Sequence, residues 1–121
     1  MKHEESDLQK ACVRWFRYQH PNIKIIASLN GIKLSGKTKL ERIKQWNHLK
    51  AMGAEPGETD TFIAKPNKKY HGLYMEFKIG NEKQSEKQIE FEKYCIENGY
   101  QYSISRTVDQ FIEIVTNYFK C

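Results

Sequence analysis

Along the chain, apolar stripes at helical spacing alternate with short β-branched runs bounded by turn residues. Leu8, Ala11, Cys12, Trp15 and Phe16 recur at i, i+3, i+4, i+7 and i+8, the spacing of an amphipathic helix. His20 and Pro21 should end it, because proline disfavours helical geometry in the residue before it. Glu5 stands one turn before Leu8 and Gln9 and is expected to face inward.

Residues 23–28, IKIIAS, run into Asn30 and Gly31 and read as a strand entering a turn. From Lys39, the spacing of Leu40, Ile43, Trp46, Leu49 and Met52 predicts a second helix, stopped by Gly53. Beyond the turn-rich EPGE, residues 60–64 (DTFIA) and 73–79 (LYMEFKI) read as strands, joined closely enough to pair antiparallel. Ser85 and Gln88 have the form of a capping box and open a helix through Ile89, Tyr94, Cys95 and Ile96 to Gly99.

Residues 100–105, YQYSIS, follow as a strand, and the β-helix-β crossover should be right-handed with parallel strands. Thr107 with Gln110 repeats the capping signal, and Val108, Phe111, Ile112, Val115 and Phe119 form the buried stripe of a last helix. The sum is an α/β or α+β domain over residues 1–121, with helices packed on a small mixed sheet of about four strands.

Composition narrows the function classes. A chain of 121 residues suits a single core. Its apolar residues fall in short periodic groups, with no span long enough to cross a membrane, and the opening MKHEESDLQK lacks the apolar core of a signal peptide. The reading is an intracellular, cytoplasmic protein. Cys12, Cys95 and Cys121 have no C-x-x-C spacing, and the first two lie on the apolar sides of helices, which favours buried thiols over a zinc site or disulfides. A formal charge of +5, with lysines gathered between Lys33 and Lys50 and between Lys65 and Lys69, favours an anionic partner.

Two patterns offer chemistry for that anion. Residues 31–38, GIKLSGKT, fit the phosphate-loop pattern G-x-x-x-x-G-K-[ST]. However, Ile32 and Leu34 are bulky where a phosphate cradle needs small residues, and no second apolar strand ends in an aspartate to help hold magnesium. The loop reads as a basic surface turn, as a contact to a nucleic-acid backbone, or as a nucleotide site.

The second pattern is E-x-K. In LYMEFKI, Leu73, Met75, Phe77 and Ile79 share one face, while Tyr74, Glu76 and Lys78 share the other. Pairing with DTFIA would bring Asp60 towards Glu76, giving two carboxylates and a lysine at a sheet edge. Carboxylate oxygens suit Mg2+ or Mn2+, and the lysine could steady an attacking water. An E-x-K pair on a solvated strand face is the alternative.

More positions agree. Glu5 with Gln9, Asn30 with Gly31, LKAMG (49–53), GETD (57–60), Glu76 with Lys78, and Gln88 follow in an order that resembles the VRR-NUC family of the PD-(D/E)XK nuclease superfamily. The resemblance covers most of the chain. It implies a restriction-endonuclease-like core and a hydrolase, a metal-dependent deoxyribonuclease cutting as an endonuclease.

Carried over by position, the resemblance implies that Glu5, Asp60, Glu76, Lys78 and Gln88 are catalytic. Asp60, Glu76 and the backbone carbonyl of Phe77 would hold Mg2+ or Mn2+, with Glu5 joining through water. Thr59 stands where the family has a proline. Gln88 has two readings, helix cap and site residue. Asn30, Lys33, Lys37 and Lys39 would lie along the DNA backbone. Stand-alone members resemble phage-type Holliday-junction resolvases, which implies a homodimer acting on a branched or four-way DNA junction. A non-catalytic DNA-binding module and a P-loop-like nucleotide binder are the rival readings.

Overall fold

The computed structural model describes residues 2–32 and 34–121. Helix α1 (Lys2–Gln19) is followed by strand β1 (Ile25–Ala27), a 3-10 turn (Leu29–Gly31) and helix α2 (Lys39–Ala51). Strands β2 (Thr61–Ile63) and β3 (Leu73–Phe77), helix α3 (Glu86–Glu97), strand β4 (Gln101–Ser105) and helix α4 (Val108–Lys120) complete the chain. The strands form one mixed sheet in the order β1-β2-β3-β4. The first two pairings are antiparallel, and β3 pairs parallel with β4 across α3. This is the α/β arrangement that the sequence predicts. No helix among the described residues is long and apolar enough to cross a membrane.

The alternation of β3 divides the sheet into two unlike faces. Leu73, Met75 and Phe77 are fully buried and meet Cys12 and Phe16 of α1 and Phe111, Val115 and Tyr118 of α4 in one core cluster. Aromatic rings stitch it together, with Phe111 packing on Phe77 at 5.8 Å and on Phe16 at 6.5 Å between centroids. On the opposite face Tyr74 lies on Phe62 at 4.4 Å and meets Phe91 of α3 edge-on at 5.2 Å. Cys12 and Cys95 are buried free thiols and Cys121 is exposed.

Two apolar stripes read from the sequence stay in solvent. On α2 Leu49 is buried, but Leu40 is 62% exposed, Ile43 45% and Met52 61%. Helix α3 meets the sheet through Phe91 and Cys95, four residues apart, which turns Ile89, Tyr94 and Ile96 outward. Periodicity marks an apolar face; whether anything covers it depends on where the helix is docked.

Candidate active site

The site is built from the end of β3 outward. Glu76 and Lys78 are only 3% and 5% exposed although both are charged. Burial of this kind is costly unless the charges are paired and hydrogen-bonded. Strand register supplies the first partner. Thr61 lies opposite Met75, so one step further along the antiparallel ladder sets Asp60 beside Glu76. Asp60 is held there by the Phe77 N–H, which donates to Oδ2 at 2.7 Å, and its own carbonyl accepts from the Ser28 N–H at 3.0 Å.

The segment leading to Asp60 is pressed against the start of α3. Gly57 has φ of +81°, and a Cβ there would lie 2.2 Å from the Lys87 carbonyl oxygen. Only glycine fits this approach. Thr59 is buried, and its hydroxyl donates to the Thr61 carbonyl at 3.0 Å, a hydrogen bond inside the loop.

Gln88 joins the pieces, capping the helix and touching the E-x-K pair at once. Its Oε1 accepts from the Ser85 N–H at 2.8 Å, while Ser85 Oγ accepts from the Gln88 N–H at 3.2 Å, which closes the capping box of α3. The same Oε1 accepts from Lys78 Nζ at 2.9 Å, and Nε2 donates to Glu76 Oε2 at 3.0 Å. Lys78 Nζ itself lies 3.9 Å from Glu76 Oε2.

Negative charge is crowded here. Burial first, and then the neighbouring Asp60 charge, pushes the Glu76 carboxyl up to about 9. Asp60 is also raised by burial, against the lowering hydrogen bond from Phe77. Glu5 is half-buried and pushed up to about 7 by burial, by a hydrogen bond with Glu82 and by the Asp60 charge. Glu82 is lowered by that same bond. Sequence reading missed Glu82. Its signal was the Gly80-Asn81 turn directly after E-x-K, where Gly80 has φ of +57° and its carbonyl accepts from Arg106 Nη1 at 2.8 Å.

This donor set fits a hard divalent cation. Glu76 Oε1 is buried with no hydrogen-bond partner among the described residues, next to a second carboxylate that repels it. Oxygen-only donors at a charge-crowded spot are what Mg2+ or Mn2+ prefers. Among the described residues no group of three or more His, Cys, Asp or Glu side chains forms a metal cluster. The protein's offer is thus a carboxylate pair, which matches magnesium's habit of keeping several waters.

The loop residues stand apart from this cluster. Asn30 Nδ2 donates to the Glu55 carbonyl at 2.7 Å, tying the turn after β1 to the segment before Gly57. Lys37 and Lys39 are exposed where α2 begins, and Lys33 lies outside the described residues. The phosphate-loop amides are already occupied. Gly36 N–H donates to Gln45 Oε1 at 2.9 Å, and the Lys37 and Thr38 N–H groups donate to the Glu41 carboxylate at 2.8 and 3.1 Å. A carboxylate sitting on those amides repels a phosphate, and it serves instead to cap α2 through Thr38.

No protein-family model and no curated protein matches the sequence. Among solved structures, one described as a VRR_NUC domain protein superposes with a TM-score of 0.69 at 23% identity, covering 96% of this chain and 88% of the other. The chain therefore has the fold of a VRR_NUC domain protein, and the Asp60, Glu76, Lys78 and Gln88 constellation sits on that fold.

Proposed function

We propose that residues 1–121 form one nuclease domain of the VRR-NUC family, a metal-dependent endonuclease hydrolysing phosphodiester bonds in DNA. The observation that carries this reading is a set of hydrogen bonds of 2.7 to 3.0 Å that ties Asp60 to the Phe77 N–H and Gln88 to both Glu76 and Lys78, across 10 to 17 residues of sequence. A solvated E-x-K pair would not be buried or tied to a helix N-terminus in this way.

Asp60, Glu76 and the Phe77 carbonyl would hold Mg2+ or Mn2+, with Glu5 acting through water. When bound, the cation neutralises charge growing on the phosphate and lowers the pKa of water. Lys78 orients the attacking water, and Gln88 fixes the Lys78 ammonium and one Glu76 oxygen so that neither swings into solvent. Asn30, Lys37 and Lys39 would line the approach of the DNA backbone.

The preferred substrate in this reading is a branched or four-way DNA junction cut by a homodimer, as in phage-type Holliday-junction resolvases, within the cell cytoplasm. Two-fold pairing would present two sites to paired strands. The uncovered apolar side chains of α2, Leu40, Ile43 and Met52, supply a surface suited to such pairing. The test is a labelled junction, matched duplex and single strand, each with Mn2+, Mg2+ or EDTA, beside Asp60→Ala. Metal-dependent cutting that the variant loses supports the nuclease. No cutting, with binding indifferent to EDTA, would leave a non-catalytic DNA-binding module.

A further inference from the structure

A groove of about 770 Å³ runs between α1 and the edge strand β1 and contains none of Asp60, Glu76, Lys78 or Gln88. One wall is a basic stripe, Lys10, Arg14 and Arg17, exposed at i, i+4 and i+7 along α1. Among the described residues none of the three is ion-paired, the carboxylate pairs being Lys78 with Glu76 and Lys87 with Glu90. Ser28 and Thr61 also line the groove, and their hydroxyl oxygens are buried with no hydrogen-bond partner among the described residues. Thr61 is 1% exposed. A buried hydroxyl left unpaired costs about 1–3 kcal/mol, which a ligand oxygen or a bound water would recover.

The groove adjoins the carboxylate site at three points. Thr61 directly follows Asp60, and Ser28 N–H is bonded to the Asp60 carbonyl. On α1, Gln9 lines the groove one turn after Glu5. Any chain lying in the groove therefore runs towards the acidic cluster.

We infer that this groove is the track for one nucleic-acid strand on its way to the carboxylate pair, with Lys10, Arg14 and Arg17 each neutralising a backbone phosphate and the Ser28 and Thr61 hydroxyls donating to its oxygens. The inference rests on the nuclease reading for its purpose, but not for its test. Lys10 to Arg17 spans about 10 Å at 1.5 Å rise per residue, the length of roughly three nucleotides at 3.4 Å each. Three cations, each taking up one phosphate, give a fixed counterion count, which is measurable.

The experiment is the affinity of the full chain for a labelled single strand and for a duplex, in EDTA, as a function of NaCl. It compares wild type with Lys10→Gln/Arg14→Gln/Arg17→Gln and with a charge-matched control, Lys44→Gln/Lys93→Gln/Lys120→Gln. The groove variant should bind more than tenfold more weakly at 150 mM salt. Its log-log salt slope should shrink by about 2 on single strand or about 3 on duplex. The control should change far less. Thr61→Val, which removes the unpaired hydroxyl at equal shape, should weaken binding while melting no lower than wild type. Equal weakening by groove and control variants, or an unchanged slope, overturns the inference. Because binding is read without cleavage, a protein that binds through the groove and never cuts sinks the nuclease reading alone.

Discussion

Gln88 Nε2 donates to Glu76 Oε2 at 3.0 Å while Gln88 Oε1 accepts from Lys78 Nζ at 2.9 Å, so one side chain holds both ends of the E-x-K pair. Gln88→Glu keeps an acceptor for the Ser85 N–H and Lys78 but replaces the donor to Glu76 with a third carboxylate oxygen. Helix α3 should remain capped, with stability changed by less than about 1 kcal/mol, and cleavage at neutral pH should fall at least tenfold. Gln88→Ala should lose about 1 kcal/mol as well, since the capping box goes with it. Thermal melts beside cleavage rates separate the two, and equal rates for wild type and Gln88→Glu would remove Gln88 from the site.

Lys78 is buried and has Gln88 and Glu76 as its partners. Lys78→Met preserves much of the volume and removes the ammonium, so the domain should fold and bind DNA. The cleavage rate should drop by roughly 10²-fold or more, the scale for a reacting group left out of position. Single-turnover rates with Mn2+ decide this, and wild-type cleavage by Lys78→Met would end the assignment.

Metal-free stability should fall as pH rises. Glu76 is pushed up to about 9 and Glu5 to about 7 from 4.5, so the native state keeps protons that the unfolded chain has released. Stability from these protons is fully present below pH 4.5 and drains away as pH climbs through about 7 and then 9. In EDTA the melting temperature should drop by roughly 5 °C or more between pH 5 and pH 9. Glu76→Gln should flatten the slope, and Mn2+ at pH 8 should restore the wild type but not the variant. A flat wild-type profile would contradict the crowding of charge described above.

Gly57→Ala sets a Cβ 2.2 Å from the Lys87 carbonyl oxygen at a backbone φ of +81°. Either fault strains the fold, and together they should cost at least about 1–3 kcal/mol. The loop can relieve the clash only by retreating from α3, which carries Asp60 away from Glu76 and Gln88. Urea unfolding and cleavage should therefore decline together; full activity in a destabilised protein would show that Asp60 does not depend on this contact.

Leu40 and Ile43 of α2 are in solvent in the single chain. Leu40→Glu with Ile43→Glu should leave the monomer's melting temperature within about 0.5 kcal/mol equivalent of wild type, as surface changes do. If this face pairs two copies, sedimentation will show a dimer for wild type and a monomer for the variant. A wild-type monomer at micromolar concentration with DNA present would sink the paired resolvase.

What the chain's sequence determined by itself is what local physics encodes. The alternation of LYMEFKI separates Glu76 and Lys78 from Leu73, Met75 and Phe77 because a strand repeats every two residues. Ser85 and Gln88 mark the start of α3 because the cap bonds groups three residues apart. Pairing of DTFIA with LYMEFKI nominated Asp60, the family resemblance nominated Glu5, and the fold brings both to the E-x-K pair.

Tertiary structure alone decided the rest. The Thr61–Met75 register fixes which β3 residue the expected Asp60 approach meets, and the approach of Gly57 to Lys87 brings that loop to the capped helix. The turn at Gly80 returns Glu82 to Glu5. Docking leaves Leu40 and Ile43 uncovered and opens the groove beneath Lys10, Arg14 and Arg17. Each of these is a relation between elements rather than within one. Hydrophobic periodicity specifies which side of an element is apolar, but the partner that side meets depends on strand register and helix docking, which no local pattern encodes.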